Sequence, residues 1–108
     1  RDVLSIPTLQ QTLEELAEEV SESLRKLSCL GRTVTLKVRY QDFTTITRSH
    51  TSLRPTDATA VISGTALELL TRATEAGVRP IRLLGVSVSN LIGEDEPLQL
   101  WLDLPEAF

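Results

Sequence analysis

The residues able to do chemistry are few. One histidine, His50, and one cysteine, Cys29, cannot form a His/Cys zinc site or an internal disulfide. A reduced, metal-free interior is expected. No motif sets a serine or cysteine nucleophile beside His50, and a histidine on a polar strand serves more readily as a surface residue or phosphate donor than as a general base. Glu14-Glu15 and Glu18-Glu19 fall between apolar residues of helical spacing, which makes them a solvated face rather than a tuned acid/base pair. Gly-rich phosphate loops are absent. The chain by itself is not expected to be an enzyme. What remains is a set of cations and hydroxyls expected on one sheet face: Lys37 and Arg39 interleaved with Thr33, Thr35, Thr45, Thr47 and Ser49, and later Ser87 and Ser89. Hydroxyls, backbone amides and scattered cations suit phosphate oxygens. The same residues also suit a solvated antiparallel sheet face, and composition leaves both readings open.

These groups need elements to hold them. Leu9, Leu13, Leu16, Ala17, Val20, Leu24 and Leu27 recur at three- and four-residue steps, the mark of an amphipathic helix. Pro7 and the Thr8 to Gln11 capping-box spacing predict its start, and Gly31 its end. The period then becomes two: Val34, Leu36, Val38 and Tyr40 alternate with Thr33, Thr35, Lys37 and Arg39, predicting a strand with one buried face. After Gln41-Asp42, the β-branched run from Phe43 to Thr51 predicts a hairpin partner that Pro55 stops. Thr56-Asp57 then offers an N-cap for a second helix carrying Val61, Ile62, Ala66, Leu69, Leu70 and Ala73, ended by Gly77. A third strand follows over 81–91. The order α-β-β-α-β implies an α+β fold, an antiparallel sheet with two helices packed on one face.

At 108 residues the chain has room for one domain. Residues 1–92 are expected to form it. Residues 93–108 change character: Gly93-Glu94-Asp95-Glu96-Pro97 reads as a linker, and Leu98-Gln99-Leu100-Trp101-Leu102-Asp103-Leu104 as a partner-binding peptide or as a further strand folding back. The net charge of −4 argues against a nucleic-acid partner. Division by segment reverses that argument. Residues 31–55 hold Arg32, Lys37, Arg39, Arg48 and Arg54 against Asp42, and Arg79 and Arg82 bring the strand set to +6, so the rest of the chain carries −10. No apolar run is long enough for a membrane span and no secretory leader opens the chain, so a cytoplasmic location without membrane contact is expected.

The run from Gly31 to Ser49, with its K-x-R-x-x-D-F-x-T-x-T-R pattern, resembles the little-finger domain of Y-family translesion DNA polymerases in the bacterial polymerase IV branch. The last strand, Ile81-Arg82-Leu83-Leu84-Gly85-Val86-Ser87-Val88-Ser89-Asn90-Leu91, is similar to the ending of the same domain. Gln99-Leu100-Trp101-Leu102-Asp103-Leu104 resembles the bacterial sliding-clamp-binding motif. The resemblance implies a β-α-β-β-α-β fold with four strands, so that this chain starts after the first strand and is part of a longer, error-prone polymerase. The catalytic palm with its magnesium would lie outside it, leaving no cofactor in this part.

Carried over by position, the resemblance implies that Lys37, Arg39, Thr45, Thr47, Arg48, Ser49, Arg82, Ser87 and Ser89 lie on or beside a surface following the backbone of primer-template DNA, without sequence readout. It further implies that Gln99, Leu100, Leu102 and Leu104 engage the sliding clamp. Relatives with basic residues where this chain has Ser87, Asn90 and His50 would grip more strongly, and His50 would restore one charge at low pH. The alternative is a protein-interaction module that binds mainly the clamp and has little DNA affinity of its own.

Overall fold

The computed structural model describes residues 2–93. Its order is α1 (Ile6–Lys26), β1 (Leu30–Tyr40), β2 (Thr45–Thr56), α2 (Thr59–Ala73) and β3 (Ile81–Ile92), an α+β arrangement of two helices and a three-stranded antiparallel sheet. The strand order is β2-β1-β3, so β1 is central. Both helices cover one face, α1 packing on α2 and β3 while α2 reaches β1 and β2.

The stripe predicted for α1 is its buried side: Leu9, Leu13, Leu16, Ala17, Val20 and Leu24 are all enclosed. The ends differ from the expectation. Ser5 caps the helix, its hydroxyl accepting the Thr8 N–H at 3.4 Å, and Pro7 falls in the first turn, where a missing N–H costs nothing. Leu27, not Gly31, ends it. Ser28 takes the left-handed conformation at φ 55°, while its N–H bonds the Arg25 carbonyl and the Cys29 N–H bonds the Leu24 carbonyl. This is a Schellman closure with serine in glycine's usual place.

Gly31 belongs to β1 and is needed there for a different reason: a Cβ at this position would lie 2.1 Å from Val88 Cγ1 on β3. The alternation along β1 is as predicted, with Val34, Leu36, Val38 and Tyr40 buried against the helices. Pro55 does not stop β2, which runs to Thr56. As an edge strand it tolerates a residue without an N–H. Consequently α2 starts later than predicted. Ala58 is its N-cap residue, and the Thr56 hydroxyl accepts the Ala58 N–H one step upstream. It ends at Ala73, ahead of Gly77, whose φ of +86° serves the loop into β3.

β1 turns into β2 through Gln41-Asp42-Phe43-Thr44. The Phe43 N–H bonds the Tyr40 carbonyl, Phe43 adopts φ 69°, and the Asp42 carboxylate accepts the Thr44 N–H at 3.0 Å. Val3 forms an antiparallel bridge with Ile81 on the outer side of β3, beside the three named strands.

Candidate nucleic-acid interface

The side of the sheet away from the helices follows from register. Thr33, Thr35, Lys37 and Arg39 stand opposite Thr51, Ser49, Thr47 and Thr45 of β2, and opposite Ser89, Ser87, Gly85 and Leu83 of β3. Directly opposed residues point the same way, so these twelve form one surface. The alternation of β1 puts it opposite the buried Val34, Leu36 and Val38.

Hydroxyls on this surface are tied across the strands. Thr33 Oγ1 lies 2.8 Å from Thr51 Oγ1, Thr35 Oγ1 lies 3.0 Å from Ser49 Oγ, and Arg39 Nε donates to Thr45 Oγ1 at 3.0 Å. Asn90 Nδ2 donates to Thr33 Oγ1 at 2.6 Å. Such cross-links fix the rotamers of short side chains, and each hydroxyl keeps lone-pair or donor capacity for an outside partner. Lys37 is half-buried, Thr45, Thr47 and Ser49 are exposed, and Ser89 is intermediate. Ser87 and Thr33 belong to the surface by register but are buried, Ser87 only 3 % exposed.

Seven of the nine expected DNA-facing residues therefore gather on or within one surface. Arg48 and Arg82 do not. Arg48 opposes Leu36, which turns it to the helix side. There its guanidinium donates to the Ala73 carbonyl at the end of α2, and to the Thr47 carbonyl. Arg82 is the extra residue of the bulge where Arg39 opposes Leu83 and Tyr40 opposes Ile81. It pairs with Asp2 at 3.3 Å and its guanidinium stacks over the Phe43 ring at 4.6 Å. His50 opposes Val34 and lines a groove against α2, so it adds no charge to the open surface. Thr51 and Asn90 are members that residue type alone did not single out. Register identifies the first and its bond to Thr33 the second.

At the turn end, Arg79 organises the border of this surface. It pairs with Asp42 at 2.7 Å and Glu75 at 2.9 Å and stacks 4.0 Å from the Tyr40 ring centre. The Tyr40 hydroxyl accepts the Glu75 N–H at 2.9 Å. Hydrogen bonds from Thr44, backbone first and then side chain, hold the Asp42 carboxyl below its ordinary value of 3.8, and the Arg79 charge adds to them. The exposed glutamates of α1 lie on the other layer of the molecule, beyond the sheet. Among the described residues no three His, Cys, Asp or Glu side chains gather as a metal site, and no helix is long and apolar enough to cross a membrane. Gln99, Leu100, Leu102 and Leu104 lie outside the described residues.

Known proteins share this fold. The model of the impB/mucB/samB family C-terminal domain matches residues 1–102. A DNA polymerase IV of Alkalilimnicola ehrlichii is 49% identical over 82 residues, 76% of this chain and 22% of that protein. A DNA polymerase IV of Listeria monocytogenes is 44% identical over 90 residues, 83% of this chain and 25% of that protein. The chain thus spans about a quarter of the length of these relatives. A solved complex of the beta-clamp processivity factor and the little finger domain of PolIV contains a chain that superposes with a TM-score of 0.67 at 27% identity, covering 95% of this chain and 90% of that one. A shared α+β architecture, identities of 44–49% to DNA polymerase IV proteins and a family match across residues 1–102 converge: the chain belongs to the impB/mucB/samB family as its C-terminal domain, a little finger of the DNA polymerase IV branch.

Proposed function

We propose that this domain grips primer-template duplex through phosphate contacts, on behalf of an error-prone translesion polymerase in the bacterial cytoplasm, and tethers that polymerase to the sliding clamp through residues 99–104. The observation that carries the DNA half is the hydroxyl-lined sheet surface bearing Lys37 and Arg39, with the acidic face of α1 on the opposite layer. Short Thr and Ser side chains let a phosphate approach strand amides and hydroxyls, and the cations release counterions. Nothing on this surface is built to reach into a groove and pair with base edges, so affinity is independent of sequence. That suits synthesis across damaged templates, where base readout would penalise the lesion. Nucleotidyl transfer and its magnesium belong, on this reading, to a palm outside these 108 residues.

Primer-template binding measured over a salt series tests the DNA half. Affinity should fall steeply with salt, and Lys37→Ala and Arg39→Ala should each weaken it and flatten the log–log slope by about 0.9 per lost phosphate contact. Affinity indifferent to salt and to both substitutions would overturn it. Removal of residues 99–104 should abolish clamp binding, and clamp binding that persists would reject the tail as anchor. A clamp-binding module with negligible DNA affinity is the second reading, favoured by the net charge of −4. The same salt series separates the two.

A further inference from the structure

β2 is an edge strand, with β1 on one side and no described strand on the other. Beside it, α2 leaves a groove of about 470 Å³, with His50 on the strand and Val61, Gly64, Leu69 and Arg72 on the helix. Val61 is 48 % exposed. Gly64 keeps the groove open, since a Cβ there would meet nothing within 4 Å. A strand edge flanked by a partly apolar groove has the geometry that accepts an extended peptide, with the edge supplying main-chain bonds and the groove taking alternate side chains.

The chain carries a segment of that design. Leu98, Leu100, Leu102 and Leu104 alternate with Gln99, Trp101 and Asp103, a period of two. It also starts from the right place. Leu30 opposes Ile92 and Gly31 opposes Thr56, so β3 and β2 finish at the same end of the sheet, and the slot beyond β2 is three strand spacings or about 14 Å from β3. Residues 93–97 can span about 16 Å when extended. Gly93, at φ +106°, lies against the turn before β1, where a Cβ would stand 2.9 Å from the Ser28 carbonyl oxygen. The chain therefore leaves β3 across the start of the central strand. A segment returning from that end runs antiparallel to β2. Charge agrees where the linker would cross: Glu94, Asp95 and Glu96 would come beside the exposed Arg54 near the end of β2.

We propose that residues 98–104 pair antiparallel with the free edge of β2 and set their leucines into the groove beside α2. Edge and clamp then compete for one peptide, a consequence that rests on the clamp-binding reading, whereas the pairing itself does not.

The test is amide hydrogen exchange on the full 108-residue chain, with sedimentation run alongside. Leu100→Asp with Leu102→Asp removes the apolar face of the segment. Gly64→Leu fills the groove from a helical position with room for a side chain. In either variant, outward-facing amides of β2 should exchange at least tenfold faster than in the unaltered chain, with β1 amides unchanged. Equal β2 rates in all three chains would overturn the proposal. Protection that disappears on dilution, together with a sedimenting dimer, would also overturn it by making a second copy the occupant. Clamp affinity is read separately. A rise in Gly64→Leu supports competition, whereas a clamp that binds none of the chains rejects the clamp reading and leaves the exchange rates to decide the pairing.

Discussion

At the scale of single residues, Asp42 and Arg79 join two segments that are distant in sequence. The β1–β2 turn and the loop between α2 and β3 meet at one guanidinium stacked on Tyr40. Because the Asp42 pKa is lowered on folding, its stabilising effect is present above the unfolded value and is lost as pH falls through the lower folded value. Urea midpoints of the natural chain and Asp42→Asn should therefore differ at pH 6 and converge well below pH 3.8. A difference constant from pH 7 to pH 2 would assign the effect to something other than ionisation. Tyr40→Phe leaves the Glu75 N–H without its acceptor and should cost about 1 kcal/mol in denaturant unfolding. The Asp-Phe pair stands out in the sequence as part of a recognisable pattern. Its physical role does not, because Asp42 and Arg79 are 37 residues apart and only the closed sheet brings them together.

At the scale of elements, glycines separate what periodicity reveals from what it conceals. The helical stripe of α1 and the alternation of β1 were readable because burial imposes a repeat on the sequence. Ends and edges were not. Gly31 reads as a helix stop only if Ser28 is not expected to adopt φ 55°, and Pro55 reads as a strand stop only if β2 is not known to be an edge. The structure gives Gly31 and Gly64 opposite roles, and that contrast can be measured. Gly31→Ala forces a methyl into Val88 across β1 and β3, so it should destabilise by about 1–3 kcal/mol or more. Gly64→Ala places a methyl in open space within a helix and should stabilise by about 0.5–1 kcal/mol. Thermal unfolding of the two variants should move in opposite directions, and a shift of the same sign would mean that one of the two environments is misdescribed.

For the whole molecule, the question raised by the proposed DNA grip is how a chain of net charge −4 would meet a polyanion. Its charges are layered: glutamates of α1 on one side of the core, Lys37 and Arg39 on the other. On the proposed reading, the distant acids would oppose binding at low ionic strength, whereas near physiological salt they would be screened beyond about 8 Å and the contact surface would dominate. Arg48 tests this layering, since the family pattern groups it with Lys37 and Arg39 while the register turns it toward α2. Thr45, Thr47 and Ser49 were legible in sequence as one face without Arg48, and the family pattern, which orders residues along the chain and not by face, added it to them. If phosphates lie along the open surface, Arg48→Ala should leave the salt slope of duplex binding close to that of the natural chain, whereas Lys37→Ala lowers it. Arg48→Ala should instead show its effect in unfolding, because the Ala73 carbonyl loses a donor at the end of α2. A slope lowered as much by Arg48→Ala as by Lys37→Ala would mean that the duplex wraps around the β2 edge. It would then also meet the groove beside α2, and DNA would compete with residues 98–104 for the same strand.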